Sequence, residues 1–410
     1  MKEKILYICS CLMLFISCNE EYVGQPATNS DKPNAIVGTT VRNIPGGAVI
    51  YYKIPDDNDL LYVKGVYKIN GEEHNVSASI YTDSLLVEGF NDATSQTIQL
   101  YCVDRSNNMS DPVDVVINPD TPPIRMIGGT FKMGTAFGGV NVTWENPTGA
   151  IMAFYFLAEN LETKEMEIAD IVYSSAKAGN YTLRGFNTEE RQFGCVARDH
   201  WNNYSDTIKG RFSPLFEEQV DRKTIKRVTL PVDNMTNNGD YWTFMKMFDG
   251  LTNDGGGWHI GTPSDIGVPI MFTVDLGAQV KLSRYVMWHT YNQVFKHHNP
   301  KKWKVYGLKT EEDLNRLKTE YPTDEEYWSK GFEEDWINMM DCEALTPSGS
   351  QTPTADDISW ERQNGLEFNF LLTAEPVRYL RFWIEETWGS GADCTYVMIG
   401  ELQFFGEIQK

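Results

Sequence analysis

Short runs in which apolar and polar residues alternate follow one another along most of the chain. Examples are Val49–Ile54, Leu60–Ile69 and Thr97–Val103, and Gly, Asn and Asp separate such runs. Alternation with a period of two is typical of half-buried β-strands, and these turn residues favour tight antiparallel connections. The pattern therefore predicts an all-β fold.

An internal repeat divides the first half of the chain. The segment Gly46–Pro55 recurs as Gly138–Pro147, a spacing of 92 residues. Asp104–Asp111 likewise returns as Asp199–Asp206. Several matches in the same order predict two homologous modules in tandem.

Each repeat is predicted to be a small β-sandwich, the first module in residues 36–119 and the second in residues 120–215. The Asp-x-x-Asn-Asn-x-Ser segment is interpreted as a hairpin turn whose Asp and Asn side chains bond their own backbone. It resembles the last hairpin of fibronectin type III or immunoglobulin-like modules. Because turn and core positions repeat while exposed residues diverge, we interpret the pair as spacers. Trp201, which stands where the first copy has Ser106, is the one substitution that suggests an added binding role.

The N-terminus has the pattern of an export signal. Lys2 and Lys4 precede an apolar run, Ile5–Ile16, that is shorter than the roughly 20 residues a membrane-spanning helix needs. The sequence Phe15-Ile16-Ser17-Cys18 resembles the lipobox of bacterial lipoproteins. Residues 1–17 are therefore predicted to be a signal peptide, and Cys18 to be the lipidated N-terminus that anchors the protein to a membrane by lipid alone.

Residues 18–35 are rich in Pro, Asn, Ser, Thr and Asp and are predicted to be a flexible tether. Asn19-Glu20-Glu21 resembles the acidic tag that directs lipoproteins of Bacteroidetes to the cell surface. The resemblance implies an outer-membrane lipoprotein that faces the cell exterior.

The charge of the chain limits its partners. Lys and Arg number 36 against 57 Asp and Glu, for a formal net charge of −21. A surface this acidic repels phosphate backbones, so nucleic acid is not an expected partner. Nucleophile elbows, metalloprotease motifs, phosphate loops and dinucleotide fingerprints do not occur in the sequence, and we predict no catalytic activity.

Cysteine spacing gives no sign of zinc or redox chemistry, since no Cys-x-x-Cys pair is present. Cys102 and Cys195 lie in apolar runs and are interpreted as buried free thiols. Cys342 and Cys394 are compatible with either a disulfide or two free thiols.

Six sequence blocks in the last 185 residues or so occur in the order of a known family. They are Phe248–Thr252, Trp258-His259, Phe272–Gly277, Lys301–Gly307, Val377–Phe382 and Ile399–Gly406. The order resembles that of the discoidin, or coagulation-factor C-type, domain of the galactose-binding-like fold. It implies a jelly-roll β-sandwich over residues 224–408, here called the C-terminal domain. The whole layout resembles the surface glycan-binding lipoproteins of Bacteroidetes polysaccharide-utilisation operons.

Residues 311–343 form an insertion relative to the plain form of that family. The segment holds twelve carboxylates and three basic residues. Thr310 followed by Glu311-Glu312-Asp313 predicts a helix N-cap with an acidic first turn, and Leu314 and Leu317 supply an apolar face. We interpret the insertion as a solvated helical elaboration, with a lid or a docking surface as the alternative.

The resemblance also implies a structural Ca²⁺ site. Asp249 and Glu401 match positions that help hold calcium in many discoidin-like carbohydrate-binding modules, and Thr252 offers a further oxygen. Hard oxygen ligands suit this ion. The alternative interpretation is an ordinary Asp-Gly turn and a capped glutamate.

Sugar binding needs flat apolar rings and polar side chains that satisfy hydroxyl groups. Candidate ligand-binding residues in or beside the expected loops are Trp258, His259, His289, Tyr291, Asn292 and Trp388. Trp388 is the first candidate, because it lies in a glycine-flanked loop that a core would not require. Trp288 and Trp303 are interpreted as core rings.

The segment Lys296–Lys304 is the one basic cluster of the chain. Contact with an acidic polysaccharide and a solvated turn into a strand are both compatible with it. The sequence thus predicts a non-catalytic surface protein that captures a polysaccharide or oligosaccharide for uptake. The alternative is a structural or adhesion lipoprotein whose discoidin-like domain docks a protein such as an outer-membrane importer.

Overall fold

A computed structural model describes residues 30–235, 243–253, 268–389 and 396–409, together with the backbone of 259–260. The predicted signal peptide, Cys18 and most of the tether lie outside these ranges. Strands hold 48% of the described residues and helices 11%, which confirms the all-β prediction. In the described ranges, every helix is too short or too polar to cross a bilayer.

The chain forms two compact units. The first runs to Met133 and adds Val142–Tyr181 and Gln192–Arg211. The second consists of Gly134–Asn141, Thr182–Arg191 and Phe212–Lys410. The division therefore runs through the second module.

The first module is a sandwich of a three-stranded and a four-stranded antiparallel sheet, with strand orders β1-β2-β5 and β4-β3-β6-β7. Its inward side chains, such as Ile50, Val63 and Leu100, are fully buried. The strands are β1 (Val37–Ile44), β2 (Gly47–Lys53), β3 (Leu60–Ile69), β4 (Glu72–Ser79), β5 (Ser84–Glu88), β6 (Gln96–Asp104) and β7 (Val113–Ile117).

The second module repeats this topology strand for strand, with orders β8-β9-β12 and β11-β10-β13-β14. The sequence repeat is therefore a repeat of fold. Its elements are α1 (Pro123–Gly128), β8 (Lys132–Ala136), β9 (Gly139–Glu145), β10 (Met152–Glu159), β11 (Met166–Ser174), β12 (Ala178–Leu183), β13 (Arg191–Arg198) and β14 (Ile208–Phe212).

Both copies of the Asp-x-x-Asn-Asn segment form the predicted turn. Asp104 Oδ1 accepts hydrogen bonds from the backbone N–H groups of Ser106 and Asn108, each at 2.8 Å. Asp199 Oδ1 accepts the equivalent pair from Trp201 and Asn203 at 2.9 Å. The side chains bond their own backbone, as the Asx-turn interpretation predicted.

Trp201 uses this turn to reach the first module. Its half-buried ring packs against the apolar core of the first module and covers Gly89, where a Cβ atom would lie 2.7 Å from the indole. Asn203 Nδ2 donates to the carbonyl of Gly89 at 2.9 Å, and Asn203 Oδ1 accepts from Asn70 at 3.0 Å. The added function of Trp201 is thus a contact between the two modules.

The C-terminal domain contains an eight-stranded sheet and a two-stranded sheet. Its strands are β16 (Lys226–Val228), β17 (His259–Ile260), β18 (Ile270–Trp288), β19 (Pro300–Leu308), β20 (Ile337–Glu343), β21 (Leu366–Asn369), β22 (Val377–Thr387), β23 (Val397–Met398) and β24 (Glu401–Ile408). The larger sheet also includes β15 (Glu218–Gln219), which lies before the predicted start of the domain and pairs with β24. Its helices are α2 (Glu311–Glu320), α3 (Glu325–Ser329) and α4 (Ala355–Asn364), with 3₁₀ turns at Phe244–Phe248 and Gly331–Glu334.

The longest strand, β18, organises this domain. Its first part, from Ile270 to Asp275, pairs with β22, and its last part, from Val280 to Trp288, pairs with β24. Gly277 between the two parts has a φ of 86°, where side chains are strained and glycine is not. The strand therefore changes partners at a glycine, as strands do at the corner of a sandwich.

Trp303, Tyr285 and Cys342 form a buried polar chain in the core. The Trp303 indole N–H donates to the Tyr285 hydroxyl at 2.8 Å, and that oxygen lies 3.1 Å from Cys342 Sγ. Burial raises the pKa of Cys342 to about 12. Cys102 and Cys195 are buried free thiols, and Trp288 and Trp303 are buried core rings, as predicted. Cys342, for which a disulfide and a free thiol were both open, is also a buried free thiol. Cys394 lies outside the described residues.

The acidic insertion is helical only in part. The Thr310 hydroxyl caps α2 by accepting the Asp313 N–H at 3.1 Å, and Leu314 and Leu317 are buried, as predicted. The helical part ends at Glu334, however, and β20 extends the main sheet beside β19. Alternating polar and apolar residues from Ile337 explain this strand. It was not predicted because the segment is rich in acidic residues.

A buried ion pair fastens the helical insertion to the sheet. Arg381 Nη2 lies 3.0 Å from Asp233 Oδ1 and donates to the carbonyl of Trp328 at 3.1 Å. The guanidinium also lies 4.7 Å from the ring centre of Phe332. Because Trp328 and Phe332 belong to the insertion, the insertion is a packed part of the domain.

We expect Trp201→Ser, which restores the residue of the first copy, to lower the free energy of unfolding by about 2 kcal/mol, since the ring buries much of its apolar surface. Chemical denaturation of the soluble chain, which begins after Cys18, measures the change in the free energy of unfolding. Tyr204→Ser, at a more exposed ring of the same loop, is the control. Equal losses in the two variants would contradict the inter-module contact.

Candidate functional site

Helix α4 holds the candidate site together, although its buried residues are acidic. Its N-terminus is a capping box: the Thr354 hydroxyl accepts the Asp357 N–H at 3.2 Å, and the Asp357 carboxylate accepts the Thr354 N–H at 2.8 Å. Asp357 and Glu361 are the residues that it buries. Both carboxylates are aimed at loops of the site.

Asp357 fixes the loop from Thr346 to Gln351. Its two oxygens accept hydrogen bonds from the N–H and the hydroxyl of Ser348, at 2.7 and 2.8 Å. Burial raises the pKa of Asp357, but the hydrogen bonds from Thr354 and Ser348 outweigh that effect and lower it to about 2. The loop is therefore held by an ionised carboxylate.

Glu361 and Arg362 fix the other loop, which follows β18. Glu361 Oε1 accepts the His289 N–H at 2.6 Å, and Arg362 Nε donates to the Tyr291 carbonyl at 2.9 Å. Burial raises the pKa of Glu361 to about 8, and its buried Oε2 has no hydrogen-bond partner within the described ranges. The Glu361 carboxyl is thus held largely in its neutral form near pH 7.

His289 is part of this support. It is 1% exposed, its Nε2 lies 3.2 Å from the Pro300 carbonyl, and its Nδ1 accepts the Phe295 N–H at 3.4 Å. Burial lowers the pKa of His289 to about 4, so the ring is neutral. The structure disagrees with a direct sugar contact by His289, because no part of its ring is accessible to a ligand.

Tyr291 and Asn292 lie at the surface of this loop, as their assignment requires. Tyr291 is half-buried, and the Arg362 guanidinium covers one face of its ring at 4.3 Å from the centre. Asn292 is exposed. Trp258 lies outside the described residues; only the backbone of His259 is described, in the short strand β17 paired with β23.

Trp388 lines a cavity of about 540 Å³. Its ring packs edge-on against Phe295, with centres 5.3 Å apart, and its backbone N–H donates to the Asn299 carbonyl at 3.0 Å. Trp388 Nε1 is buried and has no hydrogen-bond partner among the described residues. The other walls are Lys301, Lys302, Glu343, Ala344, Leu345, Thr346, Pro347, Gly349, Ser350 and Gln351.

The cavity therefore combines an indole ring with hydroxyl and amide groups. The Asp357 contacts hold the wall that carries Thr346, Ser350 and Gln351. Such a mixture of a flat apolar surface and fixed polar groups is typical of small-molecule sites. The helices α2 and α3 contribute no residue to its lining.

The basic cluster is a turn into β19, as one of the two interpretations predicted. Lys301, Lys302 and Lys304 each form ion pairs with glutamates of the neighbouring strands. His298 is buried and stacks on Tyr396, with ring centres 3.5 Å apart. The positive charge of the basic cluster is therefore largely neutralised by glutamates of the neighbouring strands.

The residues assigned to calcium lie where the Asp249 turn meets β24. Glu401 is buried, and its Oε1 accepts the Gly250 N–H at 3.0 Å. In the part of the chain that the structure describes, its Oε2 has no hydrogen-bond partner. Burial raises the pKa of Glu401 to about 8. An orphaned carboxylate oxygen of this kind fits a hard cation.

Two basic side chains contact Asp249, one at its carboxylate and the other at its backbone carbonyl. Lys246 Nζ lies 3.4 Å from its Oδ2, and Arg222 Nη1 donates to its carbonyl at 2.5 Å. The described residues hold no group of three or more His, Cys, Asp or Glu side chains suited to a metal. Calcium ligation at this turn would thus combine Asp249 and Glu401 with backbone carbonyls and Thr252.

Three sequence families, each described as a domain of unknown function, match consecutive parts of the chain. DUF4959 matches residues 33–119, DUF5126 matches 120–223 and DUF5000 matches 248–406. No curated protein matches the sequence.

Among solved structures, a SusE-like protein is 25% identical, with a TM-score of 0.40 over 70% of this chain and 100% of the other. The CBM32-3 module of a family 31 glycoside hydrolase from Clostridium perfringens is 16% identical, with a TM-score of 0.32 over 46% of this chain and 95% of the module. A two-domain fibronectin type III segment of chicken tenascin is 11% identical, with a TM-score of 0.23 over 44% of this chain and 99% of the segment.

Sequence reasoning missed α4 and its carboxylates. Thr354-Ala355-Asp356-Asp357 carries the signature of a capping box and is the signal by which the helix start could have been found. The usual apolar stripe is absent, since the buried positions Asp357 and Glu361 are acids.

We expect the stability of the chain to fall by about 1 to 2 kcal/mol between pH 6.5 and 8 through Glu361 alone, because its folded pKa of about 8 lies above the ordinary 4.5 and the proton is lost as pH rises. His289 acts at lower pH: its lowered pKa makes stability fall as pH drops from 6.5 towards 4. Glu361→Gln keeps an acceptor for the His289 backbone N–H, and its amide does not titrate in this pH range.

Denaturation at the two pH values, in the presence of a chelator, tests this expectation. Glu361→Gln should lose less stability than the parent chain on going to pH 8. Glu407→Gln, at an exposed position of β24, should follow the parent. An unchanged pH response in Glu361→Gln would contradict the neutral buried carboxyl.

Proposed function

We propose that the chain is a non-catalytic cell-surface lipoprotein that captures a polysaccharide through its C-terminal domain. Trp388 supplies the stacking surface, and Tyr291 and Asn292 contribute from the neighbouring loop. Lipid on Cys18 holds the protein in the outer membrane, facing the exterior. The two modules act as the spacer between anchor and site.

The observation that supports this proposal is the cavity beside Trp388. An indole ring offers a flat apolar surface for the C–H face of a sugar. Thr346, Ser350 and Gln351 supply hydroxyl and amide groups on the opposing loop. Because Asp357 already fixes that loop, little conformational entropy is lost when a ligand binds.

The arrangement of charged groups around the cavity supports binding rather than catalysis. Among the described residues that line the cavity, Glu343 is the one carboxylate, and it lies 3.7 Å from Lys302 Nζ. Hydrolysis of a glycosidic bond ordinarily needs two carboxyl groups across the scissile bond. The described part of the lining thus offers no such pair.

Affinity electrophoresis of the soluble chain that begins after Cys18, in gels that contain plant, host or microbial polysaccharides, tests the proposal. At least one polysaccharide should retard the parent chain, and Trp388→Ala should weaken this binding about tenfold or more through loss of stacking. Trp360→Ala, at an exposed ring of α4 outside the cavity, is the matched control.

Retardation that Trp388→Ala leaves intact would contradict the placement of the site. Absence of retardation by every polysaccharide would contradict glycan capture. That result would favour a protein partner such as an importer.

A structural calcium ion is a separate part of the proposal. We expect added Ca²⁺ to raise the melting temperature of chelator-treated protein, with a gain of about 2.7 kcal/mol at one hundred times the dissociation constant. Glu401→Gln, which keeps an acceptor for the Gly250 N–H, should abolish the shift. Mg²⁺ at the same concentration is the control, and an equal response to both ions or to neither would contradict the assignment.

A further inference from the structure

Two lysines on the wall of the Trp388 cavity are neutralised by two glutamates. Lys301 Nζ lies 2.5 Å from Glu386 Oε1. Lys302 Nζ lies 3.5 Å from Glu386 Oε2 and 3.7 Å from Glu343 Oε1. The two positive and two negative charges leave the group with no net charge.

The register of the sheet dictates the two ion pairs of Lys302. Lys302 on β19 stands directly opposite Glu343 on β20 and opposite Glu386 on β22. Opposite charges at directly paired positions stabilise one another across strands. Both glutamates are thus placed beside Lys302 by the backbone of the main sheet.

Lys301 connects this charge group to the ligand surface. Its ammonium group lies 5.6 Å from the centre of the Trp388 ring and forms the short contact with Glu386 on the other side. Hydrogen bonding to Lys301 lowers the pKa of Glu386, which keeps the carboxylate ionised. A cation beside the stacking ring is therefore already paired.

Among the described residues that line the cavity, an anionic sugar would find no cation outside an ion pair. A carboxylate ligand is recognised by charge-assisted hydrogen bonds from Lys or Arg. At this cavity the ligand would have to displace Glu343 or Glu386, within a chain whose net charge of −21 repels it. Hydroxyl groups, by contrast, need only the polar walls.

We propose that Glu343 and Glu386 are specificity-determining residues that restrict the Trp388 cavity to uncharged sugar units by holding Lys301 and Lys302 in ion pairs. This inference rests on the proposed function of the cavity. It adds the charge class of the polysaccharide, and it names the residues that set it.

The test removes the two carboxylates and asks for a gain of binding. In the soluble chain, Glu343→Gln/Glu386→Gln keeps the side-chain size and frees both lysines. Polygalacturonate, a uniform polyuronate, is the anionic probe, and the polysaccharide that retards the parent chain is the neutral probe. Affinity electrophoresis is run at low salt and again at about 0.5 M salt, where surface charge interactions are screened.

A double variant with the same change in net charge is the control. Glu375→Gln/Glu385→Gln frees Lys309 and Lys304, neither of which lines the cavity. It corrects for the general effect of a less acidic chain. Adding Trp388→Ala to the first double variant shows whether any gained binding uses the cavity.

We expect polygalacturonate not to retard the parent chain. The Glu343→Gln/Glu386→Gln variant should bind it about tenfold or more tightly than the control does, equivalent to about 1.4 kcal/mol. The gain should vanish at high salt and with Trp388→Ala. Binding of the neutral probe should change little.

Trp388-dependent binding of polygalacturonate by the parent chain would overturn the inference and leave glycan capture intact. A double variant no better than its control would also overturn it. If no polysaccharide retards the parent chain but the double variant gains binding, the proposed function fails and the charge restriction stands. If neither chain binds any probe, both fail.

Discussion

The candidate site depends on two carboxylates buried on one face of α4 (Ala355–Asn364). Asp357 binds Ser348 in the loop that walls the cavity, and Glu361 binds the backbone of His289 in the loop after β18. One turn of helix separates them, so a single rigid element holds both loops. Burying a carboxyl group costs free energy unless the group is hydrogen-bonded or neutral. Asp357 is hydrogen-bonded, and Glu361 is held largely neutral.

The consequence is a site whose shape is set before a ligand arrives. Asp357 satisfies its charge with four hydrogen bonds, and Glu361 retains a proton because burial raises its pKa. A preformed wall lowers the entropy lost on binding, which matters where stacking on one ring supplies much of the affinity. The same use of polar groups to fix position recurs at Asn203, whose amide joins the two modules.

The sequence predicted the parts of the fold that follow from local patterns. Alternation identified the strands, the repeated Asp-x-x-Asn-Asn segment identified two equivalent turns, and Thr310 identified the start of α2. These features depend on residues within a few positions of one another, so they are visible without a structure. The core position of Trp288 also follows from its place in an apolar run.

The parts that escaped prediction depend on contacts between distant segments. His289 looks like a loop histidine, yet α4, some 70 residues further along the chain, buries it. Trp201 looks like an exposed addition, yet its partner Gly89 lies in the other module. Lys301 and Lys302 look like an anion site until Glu343 and Glu386 are placed beside them by strand pairing. Charge and burial at such positions are properties of the assembled sheet.

The most direct test of this account is a crystal structure of the soluble chain with an oligosaccharide from the polysaccharide that it retains. The account predicts a sugar ring stacked on Trp388, inside the cavity walled by the loop from Thr346 to Gln351, with the Glu386 pairs intact. A sugar bound at another surface, with this cavity empty, would contradict it.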